Sequence, residues 1–105
     1  MFELEWVDKA KETYNLLKIS PPEKARYKAI KKTLRFLASN PRHKSLQTHP
    51  FLSLKGPNGE KVFEAYAQQK TPAAYRVFWY YGPDETDEDG KRIPIITILA
   101  ITPHP

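Results

Sequence analysis

Apolar and polar residues alternate at the start of the chain: Phe2, Leu4 and Trp6 are separated by Glu3 and Glu5. A period of two puts successive side chains on opposite faces, so residues 2–7 are predicted to form a short strand. Asp8 then stands where a helix cap is wanted. Ala10, Tyr14 and Leu17 recur at helical spacing, with Thr13 alongside. Ser20-Pro21-Pro22-Glu23 is a stronger start signal, joining a capping serine, first-turn prolines and a trailing glutamate. From there to Ala38 the pattern is helical. Tyr27, Ile30, Leu34 and Leu37 make one apolar stripe, widened by Ala29, Thr33 and Phe36, and Lys24, Lys28, Lys31 and Arg35 lie together on the other side. Asn40-Pro41 ends this helix, because a residue before proline disfavours helical geometry.

Beyond it the period returns to two. The segment PRHKSLQTHPF (41–51) reads as a basic loop, and Gly56-Pro57-Asn58-Gly59 as a turn. Val62–Gln68 and Tyr75–Tyr81 are predicted strands joined by a tight connection at Lys70-Thr71-Pro72. An acidic stretch ending at Gly90 forms a hairpin loop, and Ile93–Ile101 is a β-branched final strand. Pro94 lacks a ladder donor, so pairing is expected to begin after it or to lie at an edge there. The order β-α-α-β-β-β predicts an α+β fold over residues 1–105 as one domain. Two helices would pack on one face of a small antiparallel sheet and leave the other at least partly open to water or a partner.

The strand faces raise a chemical question. Tyr75, Val77, Trp79 and Tyr81 share one face of their strand; Arg76, Phe78 and Tyr80 share the other. In the preceding strand Phe63, Ala65 and Ala67 oppose Val62, Glu64 and Tyr66. Phe63, Ala65, Val77 and Trp79 suit the helix-covered side, which places Glu64, Tyr66 and Arg76 together on the open side. An isolated charge in the core is costly, whereas on an open face it costs little. A guanidinium held there by a rigid strand either offers itself to an anion such as phosphate or forms a cross-strand pair with Glu64.

Composition narrows the classes. The 105 residues, 40% hydrophobic, suit one modest core. The absence of cysteine excludes disulfides and thiolate metal sites and fits a reducing compartment. No apolar run approaches the roughly 20 residues of a membrane span. MFELEWVDKAKE has no apolar leader region, so a cytoplasmic protein with no membrane partner is expected. The net charge of +5 is unevenly spread: Asp84, Glu85, Asp87, Glu88 and Asp89 sit in one segment, and the rest of the chain carries 17 basic residues against seven acids. Such a body suits a polyanion or an acidic protein partner, or is a lysine-rich solvated surface. The acidic segment departs from a calcium loop, with Asp89 where glycine is needed and Ile95 where the closing glutamate belongs. It is read as a hairpin tip, or as a flap over the basic face that competes with RNA. His43 and His49 have no metal-ligand spacing. No metal or cofactor is expected.

In order and spacing, several phrases are similar to one family. These are Trp6-Val7-Asp8-Lys9-Ala10 at the end of the first strand, Asn40-Pro41 after the second helix, YRVFWYY (75–81) and ITILAITPHP (96–105). Over nearly its whole length the chain resembles the RelE/ParE toxin superfamily of bacterial toxin–antitoxin modules. The resemblance implies a small sheet with two N-terminal helices and a cognate antitoxin as partner. It also implies one of two targets: mRNA cut on the ribosome without a metal, or DNA gyrase inhibited without catalysis. Carried over by position, Arg76 matches the arginine used for phosphate, and His104 a histidine that follows the last strand. Glu64 lies in a strand that bears active-site residues. Cleavage of this kind needs a base for the 2′-hydroxyl, a cation for the phosphate and an acid for the 5′-oxygen. The resemblance thus makes Arg76, His104, Glu64 and Tyr66 the catalytic candidates, and Lys24, Lys28, Lys31, Arg35, Arg42 and Lys44 the RNA-binding ones. His104 is otherwise a terminal residue beside the sheet, and the lysine stripe a solvated helix face. VFEAYAQQ lacks the basic residues usual in that strand, no aromatic follows His104, and the 84–89 segment is unusual for the family. The alternative is therefore a non-catalytic protein-binding module of the same fold.

Overall fold

A computed structural model of the protein describes residues 1–103. The first strand, β1 (Glu3–Trp6), leads into helix α1 (Asp8–Ile19), and a 3-10 turn at Pro21–Glu23 leads into α2 (Lys24–Ser39). Asp8 is the first helical residue, not the cap, and it acts through its charge at the positive helix end. Ser20 precedes the 3-10 turn but makes no side-chain capping bond. After α2 a second 3-10 turn at Lys44–Leu46 gives way to β2 (His49–Lys55), then β3 (Lys61–Tyr66) and β4 (Tyr75–Tyr81). The acidic stretch forms its own small hairpin, β5 (Glu85–Thr86) and β6 (Arg92–Ile93), before the long last strand β7 (Ile95–Pro103).

The five-stranded sheet runs β1-β7-β4-β3-β2. It is mixed, not wholly antiparallel, because β1 lies parallel to β7 at one edge. Two backbone bonds seat that edge: Glu3 N–H donates to the Pro94 carbonyl at 3.0 Å, and Val7 N–H to the Ile98 carbonyl at 3.1 Å. Pro94 thus accepts from the edge strand, and the β7 ladder begins just after it. The other edge, β2, starts within the segment whose composition predicts a loop. Its proline, Pro50, is tolerated because an edge strand is bonded on one side only.

Both helices lie on one face of the sheet. Ile30, Leu34 and Leu37 of α2 and Ala10 and Leu17 of α1 are buried against Ala65, Val77, Trp79, Ile96, Ile98 and Ile101. Alternation alone would send Ile98 and Ile101 to opposite faces. A register shift between Phe78 and Trp79, opposite Ala100 and Ile98, leaves Leu99 unmatched and brings both isoleucines to the helix side. Phe63, Ala65, Val77 and Trp79 all join this core, as expected. Between the helices, burial and the neighbouring Tyr27 hydroxyl push the Tyr14 phenol well above the usual tyrosine range.

The face away from the helices is not bare. Val62, Glu64, Phe78, Tyr80 and Ile95 are buried, and the Phe51 ring meets Phe78 edge-on at 4.9 Å. The β5–β6 hairpin keeps to itself. Asp84 accepts from Arg92 at 2.6 Å and from the Ile95 N–H at 3.0 Å, and these bonds hold its carboxyl below the usual aspartate range. No ion pair among the described residues joins the 84–89 stretch to Arg42, Lys44 or the α2 lysines.

Candidate catalytic face and basic groove

Strand register decides which polar groups meet. Tyr66 pairs across β3 and β4 with Arg76, while Glu64 pairs with Phe78. The Glu64–Arg76 pair that alternation allowed does not form. Instead the Arg76 guanidinium lies over the Tyr66 ring, 4.0 Å from its centroid. Its Nη1 donates to the backbone carbonyl of Gln68 at 2.9 Å, with longer contacts to those of Ala74 and Tyr75. The connection after β3 thus folds back to hold the arginine. Gln68 is itself fixed by its side-chain oxygen, which accepts from Tyr75 N–H and from Arg26 Nε, both at 3.2 Å. Arg76 has no ion-pair partner among the described residues, and its buried Nε has no hydrogen-bond acceptor there. It is half-buried, a fixed cation with donor capacity to spare.

Glu64 is fully buried, and its partner is a residue that sequence reasoning did not select. His49, the first residue of β2, stands opposite it in the ladder and brings Nε2 to 2.7 Å from Glu64 Oε1, an ion-pair contact rather than a linear hydrogen bond. The other ring nitrogen, Nδ1, lies 2.8 Å from the Gln47 carbonyl. A carbonyl oxygen only accepts, so Nδ1 carries a proton. Nε2 faces the carboxylate, and the contact is an ion pair when the ring is protonated. Gln47 aims its carbonyl from a left-handed conformation with φ 49°, one that non-glycine residues seldom adopt. The His49 ring also meets Tyr66 edge-on at 5.6 Å. Glu64, His49, Tyr66 and Arg76 thus form one contiguous row on the face away from the helices.

The other expected residues fall into two groups. Arg42 and Lys44 lie on the segment between α2 and β2, which is pinned by Thr48 Oγ1 donating to the Pro41 carbonyl at 2.7 Å. With His43, His49, Phe63 and Tyr81 they line an open groove of about 490 Å³. His43 is oriented by stacking on Phe36 at 4.1 Å and by Nδ1, which accepts from Ser45 N–H. Lys24, Lys28, Lys31 and Arg35 are exposed on α2. The helix layer and the sheet separate them from Arg76. His104 lies outside the described residues. Among the described residues, no group of three or more histidine, aspartate or glutamate side chains is placed to hold a metal ion. None of the described helices is long and apolar enough to cross a membrane.

No protein-family model, curated protein or solved structure matches the chain.

Proposed function

We propose that the protein is the toxin of a bacterial toxin–antitoxin module with a RelE/ParE-like fold, and that it cuts mRNA on the ribosome without a metal. The observation that supports this best is the row itself: a fixed arginine with an unused donor, a tyrosine beneath it and an imidazole beside a carboxylate. Each suits a step of phosphodiester transesterification. The 2′-oxygen bonds to phosphorus, its proton passes to a base, and the P–O5′ bond breaks as an acid returns a proton to the leaving oxygen. Arg76 stabilises the charge gathering on the phosphate oxygens. Glu64 is sealed and the His49 side chain is 42% exposed, so of the two only His49 meets RNA. The Gln47 carbonyl and Glu64 engage both its ring nitrogens, so when protonated it acts as the acid, giving a proton to the leaving 5′-oxygen once the Glu64 contact opens. Tyr66 assists as a donor, and His104, carried over by resemblance, is the base or acid. A cognate antitoxin would neutralise the protein, and the ribosome would present the mRNA.

The test is cleavage of mRNA by purified protein and ribosomes, mapped by primer extension. Wild-type protein is expected to cut in phase with codons. Arg76→Ala is expected to lose the activity by roughly 10²–10³-fold, the cost of removing one charge-stabilising donor. Undiminished cutting by a folded Arg76→Ala protein, or no cutting by the wild type, would overturn the reading.

One observation favours a second reading, a protein-binding module acting on DNA gyrase. Leu16 and Ile19 are 57% and 74% exposed at the end of α1, a residue type and place suited to a protein partner. Inhibition of gyrase supercoiling without RNA cleavage would select it.

A further inference from the structure

The groove beside His49 has a feature that cations alone do not explain. Tyr81, the last residue of β4, is 41% exposed and is the one aromatic among the exposed large hydrophobic residues described. Its ring is nevertheless held on three sides. Trp79 meets it edge-on at 4.9 Å, Phe63 edge-on at 5.6 Å, and Phe2 at 5.6 Å with a 45° tilt. A ring so braced loses little freedom when a planar group stacks on its open face. Around it the groove carries Arg42, Lys44 and two histidines, and no carboxylate lines it. Its volume of about 490 Å³ falls within the ~300–1,000 Å³ common for small-ligand sites. Aromatic floor and cationic rim are the two components of single-stranded nucleic acid sites, the ring taking a base and the cations its phosphates. An acidic peptide would use the rim and leave the ring idle.

We infer that this groove is a nucleotide subsite for single-stranded RNA, with a base stacked on Tyr81 and the adjoining phosphates on Arg42 and Lys44. His49 lines the groove and also pairs with Glu64, so the subsite adjoins the catalytic row. Tyr81 and Phe63 lie on the helix side of the sheet and Arg76 on the other, so a strand reaches both only by passing round the β2 edge at His49. The inference rests on the RNA-directed reading above, and its test is separable from cleavage.

The probe is a fluorescein-labelled 2′-O-methyl hexaadenosine, which lacks the attacking hydroxyl, titrated with the full chain and followed by anisotropy. An abasic strand of equal length is the control. Tyr81→Ala is expected to weaken hexaadenosine binding roughly 5–150-fold, the range found when one base-stacking aromatic is removed, and to leave abasic binding unchanged. Tyr81→Phe should bind as wild type. The double variant Arg42→Ala/Lys44→Ala should weaken both strands and lower the slope of log K against log salt by about 1.4, or 0.7 for each phosphate no longer neutralised. Should Tyr81→Ala fail to fold, Tyr81→Leu, which keeps apolar bulk against Phe2, Phe63 and Trp79, replaces it with the same expectation. Equal hexaadenosine binding by wild type and a folded Tyr81→Ala or Tyr81→Leu overturns the inference. So does hexaglutamate that binds as tightly as hexaadenosine and shows the same dependence on Tyr81. Tyr81-dependent binding without mRNA cleavage leaves the subsite standing and removes the catalytic reading. Arg76-dependent cleavage with no Tyr81 effect on binding does the reverse.

Discussion

Replacing His49 and Glu64 by glutamine, singly and together, isolates the one ion pair among the described residues that joins the 41–50 segment to the sheet. Its size is bounded from the geometry. Two unit charges at 4 Å attract by about 4 kcal/mol at an effective dielectric of 20. Breaking a fully buried pair costs about 3–5 kcal/mol, whereas exposed pairs couple by roughly 0.2–1 kcal/mol. Here Glu64 is sealed, but the His49 side chain keeps 42% of its surface in water, so the pair belongs between these limits. A coupling of about 2 kcal/mol is expected. The assay is urea unfolding of wild type, His49→Gln, Glu64→Gln and the double variant at one neutral pH. A cycle is the right instrument because any other partner of either residue is lost equally on both sides and cancels. A coupling below about 0.5 kcal/mol, the error of such cycles, would refute the reasoning. The 2.7 Å approach would then carry no charge–charge energy. An intact pair that also serves catalysis predicts that His49→Gln slows cleavage by roughly 10²–10⁴-fold, the usual worth of a positioned acid or base.

Other consequences can be checked more simply. Arg76→Lys keeps the charge but loses the planar fork; ribosome-dependent cleavage should fall by at least about tenfold while the thermal midpoint stays within a few degrees, and wild-type rates would contradict the role given to the guanidinium. Ile30 is fully buried at the centre of α2, so Ile30→Ala should cost about 2–5 kcal/mol in urea unfolding, and a loss below about 1 kcal/mol would mean that the helix is not seated on the sheet as described. Asp84 sits below its ordinary pKa of 3.8 because Ile95 N–H and Arg92 favour the carboxylate. Its contribution is therefore present above that value and lost as pH falls through the lowered one. Asp84→Asn should flatten the acid limb of a stability–pH curve, and an unchanged limb would deny the bonds a role. Ala65 is fully buried under the helices, so Ala65→Leu should overpack the core and cost about 1–3 kcal/mol by thermal or urea unfolding.

Local pattern and distant pairing divided the reading of this chain. The two helices, the strand at 75–81, the faces of Val77 and Arg76 and most of the strands expected at 62–68 and 93–101 are legible, because period and turn chemistry are properties of neighbouring residues. Of the last two strands, the first ends at Tyr66, and the second breaks at Pro94 and runs on to Pro103. β2 was hidden because Pro50 and the surrounding basic residues resemble loop, and only its place at a sheet edge makes that sequence tolerable as strand. The parallel contact of β1 with β7 joins the two ends of the chain, and no local signal encodes it. The site divides the same way. Glu64, Tyr66 and Arg76 could be named from alternation, yet alternation cannot say which of them face each other. A register that pairs Tyr66 with Arg76 left Glu64 to a histidine from a segment expected to be loop.

The sequence by itself determined that this is an α+β protein with a basic body, a helix-covered sheet face and an arginine turned away from the helices. The requirement to bury apolar side chains acts residue by residue, and so it is written into the order of residues. Tertiary structure alone decided the mixed sheet, the bulge that sends both Ile98 and Ile101 to the core, the His49–Glu64 pair and the braced Tyr81 ring above the basic groove. Each of these depends on strand register, and register is set by the fit of whole faces against one another.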